Sequence, residues 1–188
     1  MLQVSASPKE YFISVTVSLK EIVDHLNMVG DESTAYLNRK TGELVTLGGE
    51  ELSAAEERED MEDYPEWQRE GIALAREIQD SEDYLELPTK FDIHEYRIVE
   101  EFCRSAEPEE LREQLLRKIR GGGAFGRFKR EIYKLKIEQD WYRFRDAELE
   151  RIAMQWLEAN EVAYRRDSGG EGRRTEQGGE GDPIKGVI

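Results

Sequence analysis

From Glu50 to Trp156 the apolar residues of this chain return every three or four positions, and proline or glycine cuts one stripe from the next. That period is helical, and successive amphipathic helices bury their stripes by packing on one another. Trp67, Gly71, Leu74, Ala75 and Ile78 make one stripe after Pro65. Asp92, with Glu95 three residues on, reads as an N-cap and its partner, opening a helix to about Ser105. Leu111, Leu115 and Ile119 mark a helix opened at Pro108 and stopped by Gly121-Gly122-Gly123. Phe125, Phe128, Ile132 and Leu135 follow, then Trp141, Arg145, Leu149, Ile152, Ala153 and Trp156. The acidic stretch 53–67 reads as a solvated helix or a loop, and the segment ended by Pro88 as an exposed connector.

Before Glu50 the period changes. Tyr11, Ile13, Val15 and Val17 alternate with Phe12, Ser14 and Thr16, which predicts a strand. Leu19, Ile22, Val23 and Leu26 form a helical stripe that Gly30 ends. TAYLN and ELVTL flank Arg39-Lys40-Thr41-Gly42, a hairpin with glycine where a positive φ is wanted. Val162 to Tyr164 returns to a sheet. The expected class is α+β: a small N-terminal antiparallel sheet with one helix, then a mainly helical bundle. One domain is expected over residues 1–167, its sheet part at about 10–48 and its helices at about 64–165. Residues 168–188 hold 7 glycines among Glu and Arg, a composition expected to stay disordered.

Composition narrows the function classes. No apolar run approaches the ~18 residues of a membrane span, and the start MLQVSASPKEYF lacks the features of a secretory leader. The single cysteine, Cys103, excludes an internal disulfide and a cysteine-built metal site, and it suits a reducing, cytoplasmic setting. The 42 acids and 27 bases give a formal charge of −15, against a generic nucleic-acid coat. The charge is segregated: residues 48–110 hold 22 acids and 6 bases, whereas residues 111–145 hold 4 acids and 11 bases. Either the two blocks neutralise each other internally, or one faces a partner.

Five stretches, YLNRKTGELV (36–45), EDYPEWQRE (62–70), PTKFDIHEY (88–96), GGGAFGRFK (121–129) and DWYRFRD (140–146), together resemble the bacterial uncharacterised protein family 0158. The resemblance covers roughly residues 15–165. It implies a small, acidic bacterial protein with no assigned activity, and it supplies no catalytic residue to carry over. The chain departs from the family pattern at Gly122 and Gly126, where members tend toward arginine, and at Arg130, where members often carry an acid.

The candidate anion or nucleic-acid site is the basic glycine loop: Arg120, Gly121, Gly122, Gly123, Arg127, Lys129 and Arg130. A loop that opens a helix presents free N–H groups and a positive dipole end, and Phe125 or Phe128 could stack on a base. The spacing matches neither a Walker loop nor a dinucleotide fingerprint, and ordinary helix capping explains the glycines equally well. Asp92-Ile93-His94 offers an acid–base pair, but Asp92 has the capping role and His94 lies about 13 Å from Cys103 at helical rise. The acids at 56–63 lack the order of a calcium loop. No catalytic set, metal or cofactor is expected.

The reading that best fits is a non-enzymatic binding or regulatory protein that turns its acidic face to a protein partner, a basic one. Two alternatives stand beside it. One is a nucleic-acid or nucleotide binder through the glycine loop. The other is an enzyme on a phosphorylated substrate, with His94 or Glu131 as its acid or base.

Overall fold

A computed structural model describes residues 15–58 and 60–166 of the chain. Most of the expected strand at 11–17, and the whole tail from 168, lie outside the described residues. Val17–Ser18 forms β1, and it pairs in parallel with β5 (Tyr164–Arg165), Val17 opposite Tyr164. The return to a sheet at Tyr164 is therefore found, in a two-stranded ribbon separate from the antiparallel sheet.

Ser18 caps α1 (Leu19–Met28) by accepting from the Glu21 N–H, and Leu19, Ile22 and Leu26 are buried as their spacing requires. The hairpin forms from β2 (Ser33–Asn38) and β3 (Leu44–Gly48), with Tyr36 opposite Val45. Gly42 has φ +78, and its N–H donates to the Asn38 carbonyl. The third strand of this antiparallel sheet is β4 (Tyr84–Glu86), on the far side of β2. It comes from the segment read as an exposed connector. Three residues are too few to show an alternation, and their pairing partner lies over forty residues upstream.

Helices make up the rest: α2 (Gly49–Glu56), α3 (Glu66–Asp80), α4 (Lys90–Ile93), α5 (Glu95–Ser105), α6 (Glu109–Lys118), α7 (Ala124–Leu135) and α8 (Glu138–Ala159). The stretch read as helix or loop is both, α2 followed by a 3-10 turn at Met61–Asp63. Asp92 is not an N-cap. Thr89 caps α4, and Asp92 sits three residues inside as the reciprocal partner, accepting from the Thr89 N–H and hydroxyl. His94, at φ +49, then separates α4 from α5.

Two apolar clusters hold these elements. The larger joins α1, α5, α6, α7 and α8 around Phe102, Phe128 and Trp141. Phe128 meets Trp141 edge-on at 4.9 Å, and Phe102 meets Trp141 at 5.4 Å and Phe128 at 5.9 Å. Such edge-to-face pairs add about 0.5–1.5 kcal/mol each beyond the area they bury. The smaller cluster, Leu47, Ala55, Ala75 and Ile78, seats α2 and α3 on each other and on β3. The acid-rich helices thus pack at the sheet, while the basic segment belongs to the bundle. Internal neutralisation is slight. Arg145 of α8 reaches Glu95 of α5 at 3.2 Å and, within α6, Arg112 approaches Glu109 at 3.9 Å; the contact of α5 with α6 and α8 is built mainly on apolar side chains.

Candidate functional site

The end of α6 brings the glycine loop to the surface. Gly121 and Gly123 have φ +76 and +71, so the reversal needs a left-handed backbone at both positions. The Arg127 guanidinium folds back over the turn and donates to the carbonyls of Lys118 (3.0 Å), Arg120 (2.6 Å), Gly121 (3.3 Å) and Gly122 (2.5 Å). The Lys118 carbonyl is one that the helix end leaves without a partner, and the other three belong to the turn beyond it. The other sequence candidates are distributed as follows. Lys129 holds its ammonium 4.6 Å from the centre of the Phe125 ring. Arg120 and Arg130 are exposed and make no ion pair among the described residues. Of the two proposed stacking rings, Phe128 is wholly buried and Phe125 lies partly buried beneath Lys129.

Glu131, the acid–base candidate nearest this loop in sequence, is buried in the bundle. Gln114 donates to it at 2.6 Å, and Lys118 approaches at 3.4 Å. The Gln114 hydrogen bond and the two lysine charges hold its carboxyl below the usual glutamate range, which keeps it ionised and unsuited to donate a proton. His94 is exposed, its ring 5.7 Å from that of Phe91. Tyr96, two residues on, donates its hydroxyl to the Ile119 carbonyl at 3.0 Å and so ties the start of α5 to the residue before Arg120. Phe91 is 83% exposed and Tyr96 54%. Sequence periodicity had no means of finding this cluster, since α4 is a single turn and its phase is unrelated to that of α5.

At the sheet end, Trp67 is 75% exposed at the start of α3, although its spacing placed it on the buried stripe. Ala75 and Ile78 are buried as their spacing requires, but the face begins at Gln68 and Ile72 in place of Trp67 and Gly71. Gln68 turns inward because its amide donates to Glu50 of α2 at 3.0 Å. At Gly71 the helices approach so closely that a Cβ would stand 3.0 Å from Cγ of Glu51. Trp67 is left outside with Glu62, Asp63, Glu66 and Glu70, all exposed. Arg69 does not answer these carboxylates, because its guanidinium donates to the carbonyls of Tyr64 (2.8 Å) and Glu62 (3.3 Å). Arg58 pairs with Asp80 at 2.7 Å, farther along the same helix pair.

A groove of about 460 Å³ runs between α1 and α8, floored by Leu19, Val23 and Ala147 and walled by charges of both signs. Among the described residues no three His, Cys, Asp or Glu side chains come together as a metal site, and no helix is long and apolar enough to cross a membrane.

A family model matches residues 13–169, spanning both apolar clusters and all eight helices of the described residues. The chain belongs to the uncharacterised protein family UPF0158. No curated protein and no solved structure matches it. For this UPF0158 chain the surface itself is therefore the source of a functional reading. It offers two unlike faces, an acidic one around Trp67 and a basic, aromatic one where α5 meets the glycine loop.

Proposed function

We propose that this UPF0158 chain is a non-enzymatic binding protein whose acidic α2–α3 face holds a basic protein partner, with Trp67 as the anchor. The observation that carries the reading is a tryptophan three-quarters exposed among carboxylates on a helix that buries its opposite face. Exposing an indole costs stability, and tryptophan is enriched at interface positions whose truncation costs about 2 kcal/mol or more. The surrounding acids steer a cationic partner and set its register.

Immobilised full-length protein should retain a basic protein from a lysate of its source, and Trp67→Ala should lose that same protein by about thirtyfold. Glu62→Lys with Glu66→Lys should lose it too. The complex should dissociate as rising salt shortens the screening length below roughly 8 Å. A partner that Trp67→Ala retains, or that stays bound at high salt, refutes the reading.

A further inference from the structure

We propose that Phe91, His94 and Tyr96, set beside Arg120 by the hydrogen bond from Tyr96 to Ile119, form a stacking platform for a nucleobase whose phosphate meets Arg120. Two features show that the cluster is built. The chain buries Phe102 and Phe128, yet leaves Phe91 almost wholly exposed on a single helical turn. His94 is held at φ +49, a conformation uncommon outside glycine though more often met in histidine than in most residues, and its ring stands 5.7 Å from Phe91. The rings are inclined at 54°, so neither covers the other's outer face.

The charges around the rings are of both signs, and the cation assigned to the phosphate is Arg120, exposed and without an ion pair among the described residues. Asp92 is turned into its capping box with Thr89, and Glu95 is engaged by Arg145. Both acids keep their charge, and the hydrogen bonds from Thr89 hold the Asp92 carboxyl below the usual range, so the phosphate is placed at Arg120 and not over the capping turn. Arg120 follows directly on Ile119, the residue whose carbonyl the Tyr96 hydroxyl holds. His94 is two residues from Tyr96, at most about 7 Å along the backbone, and Arg120 follows the residue that Tyr96 holds, so the rings and this cation share one stretch of surface. Stacking on an aromatic face accepts any base, because every base has a π-face. A single strand or a free nucleotide fits this chemistry, whereas a duplex keeps its bases stacked within itself.

The proposal does not depend on the acidic-face reading, and its variants leave Trp67 untouched. The full-length protein is titrated at about 50 mM salt, where phosphate contacts are strongest. The probe is a short fluorescein-labelled single strand, followed by anisotropy, with the matching duplex and AMP as competitors. The single strand should bind and the duplex should bind more weakly. Phe91→Ala should weaken binding about tenfold and Phe91→Trp should restore it. Arg120→Ala should lower affinity and reduce the salt slope by about 0.7, the value for one single-strand phosphate. Competition by AMP assigns the site to nucleotides, and its failure assigns the site to strands. Phe91 is exposed, so its variants fold, and circular dichroism checks this. The proposal is overturned if no probe binds, or if Phe91→Ala binds like the parent. A dimer mass that Phe91→Ala alone converts to monomer, without probe binding, overturns it in favour of self-association.

Discussion

Removing the Arg127 guanidinium separates a structural clamp from an anion receptor in the glycine loop. The side chain donates to four backbone carbonyls at 2.5–3.3 Å, one of them in a part-buried setting and three exposed. A charged donor in a shielded hydrogen bond contributes about 1.5–3 kcal/mol, and water replaces most of what an exposed one contributes. The sum for Arg127→Ala is therefore about 2–3 kcal/mol. Arg127→Lys should recover less than half, since one ammonium cannot span carbonyls that a planar fork reaches together. Urea unfolding, followed by circular dichroism and tryptophan fluorescence, should show the midpoint falling by about 1 M with an unchanged slope. Arg130→Ala, which removes a cation with no ion pair among the described residues, should stay within about 0.5 kcal/mol of the parent. If Arg127→Ala proves as harmless as Arg130→Ala, the carbonyl clamp is not what holds the turn, and the guanidinium is available to a ligand.

Three further outcomes follow from the packing. Gly42 and Gly121 share a left-handed φ, but a Cβ at Gly42 would stand 2.7 Å from Cγ1 of Val15, whereas one at Gly121 meets nothing within 4 Å. Gly121→Ala should cost about 1 kcal/mol from backbone strain alone, and Gly42→Ala more, as denaturant midpoints will show. Burial, with a smaller contribution from Glu100, pushes the Cys103 thiol up to about 12, so a thiol reagent at pH 8 should label it only at the rate of unfolding. Glu131 has its carboxyl held below the ordinary value, so its stabilisation is complete above the unfolded carboxylate range and is lost as pH falls through the folded value. Acid titration of stability should be shallower in Glu131→Gln than in the parent.

What could be read from the residues was whatever local periodicity and capping determine. The hairpin around Gly42, the stripe of α1, the stop at Gly121–Gly123 and the apolar faces of α6 to α8 are each written within a few turns of chain. Long-range pairing was not. β4 exists because β2 offers it an edge, and nothing in Tyr84-Leu85-Glu86 states this alone. Trp67 was misplaced because the anchor of α3 is a polar contact, Gln68 to Glu50, to which a count of apolar residues is blind. Thr89 was overlooked as a cap because Asp92 with Glu95 has the same spacing as Thr89 with Asp92, and tertiary packing chose between them. At the glycine loop the composition was legible and the engagement of Arg127 was not, since a guanidinium that meets carbonyls looks in sequence like one awaiting phosphate.

The pairing of β1 with β5 orders events at the ribosome. Val17 waits for Tyr164, and Asn27 of α1 waits for Arg145, 118 residues later. The hairpin can form as soon as it emerges, and α2 and α3 can settle on β3 soon after, because their partners are near in sequence. The apolar face of α1 meets its main helical partner only once α8 has been made. Until then Leu19, Ile22 and Leu26 are only partly covered and lie within reach of chaperones and other nascent chains. Loop closure of that length also slows the final step in a refolding experiment. α1 is translated before the hairpin, yet it is among the last of the described elements to be fully buried.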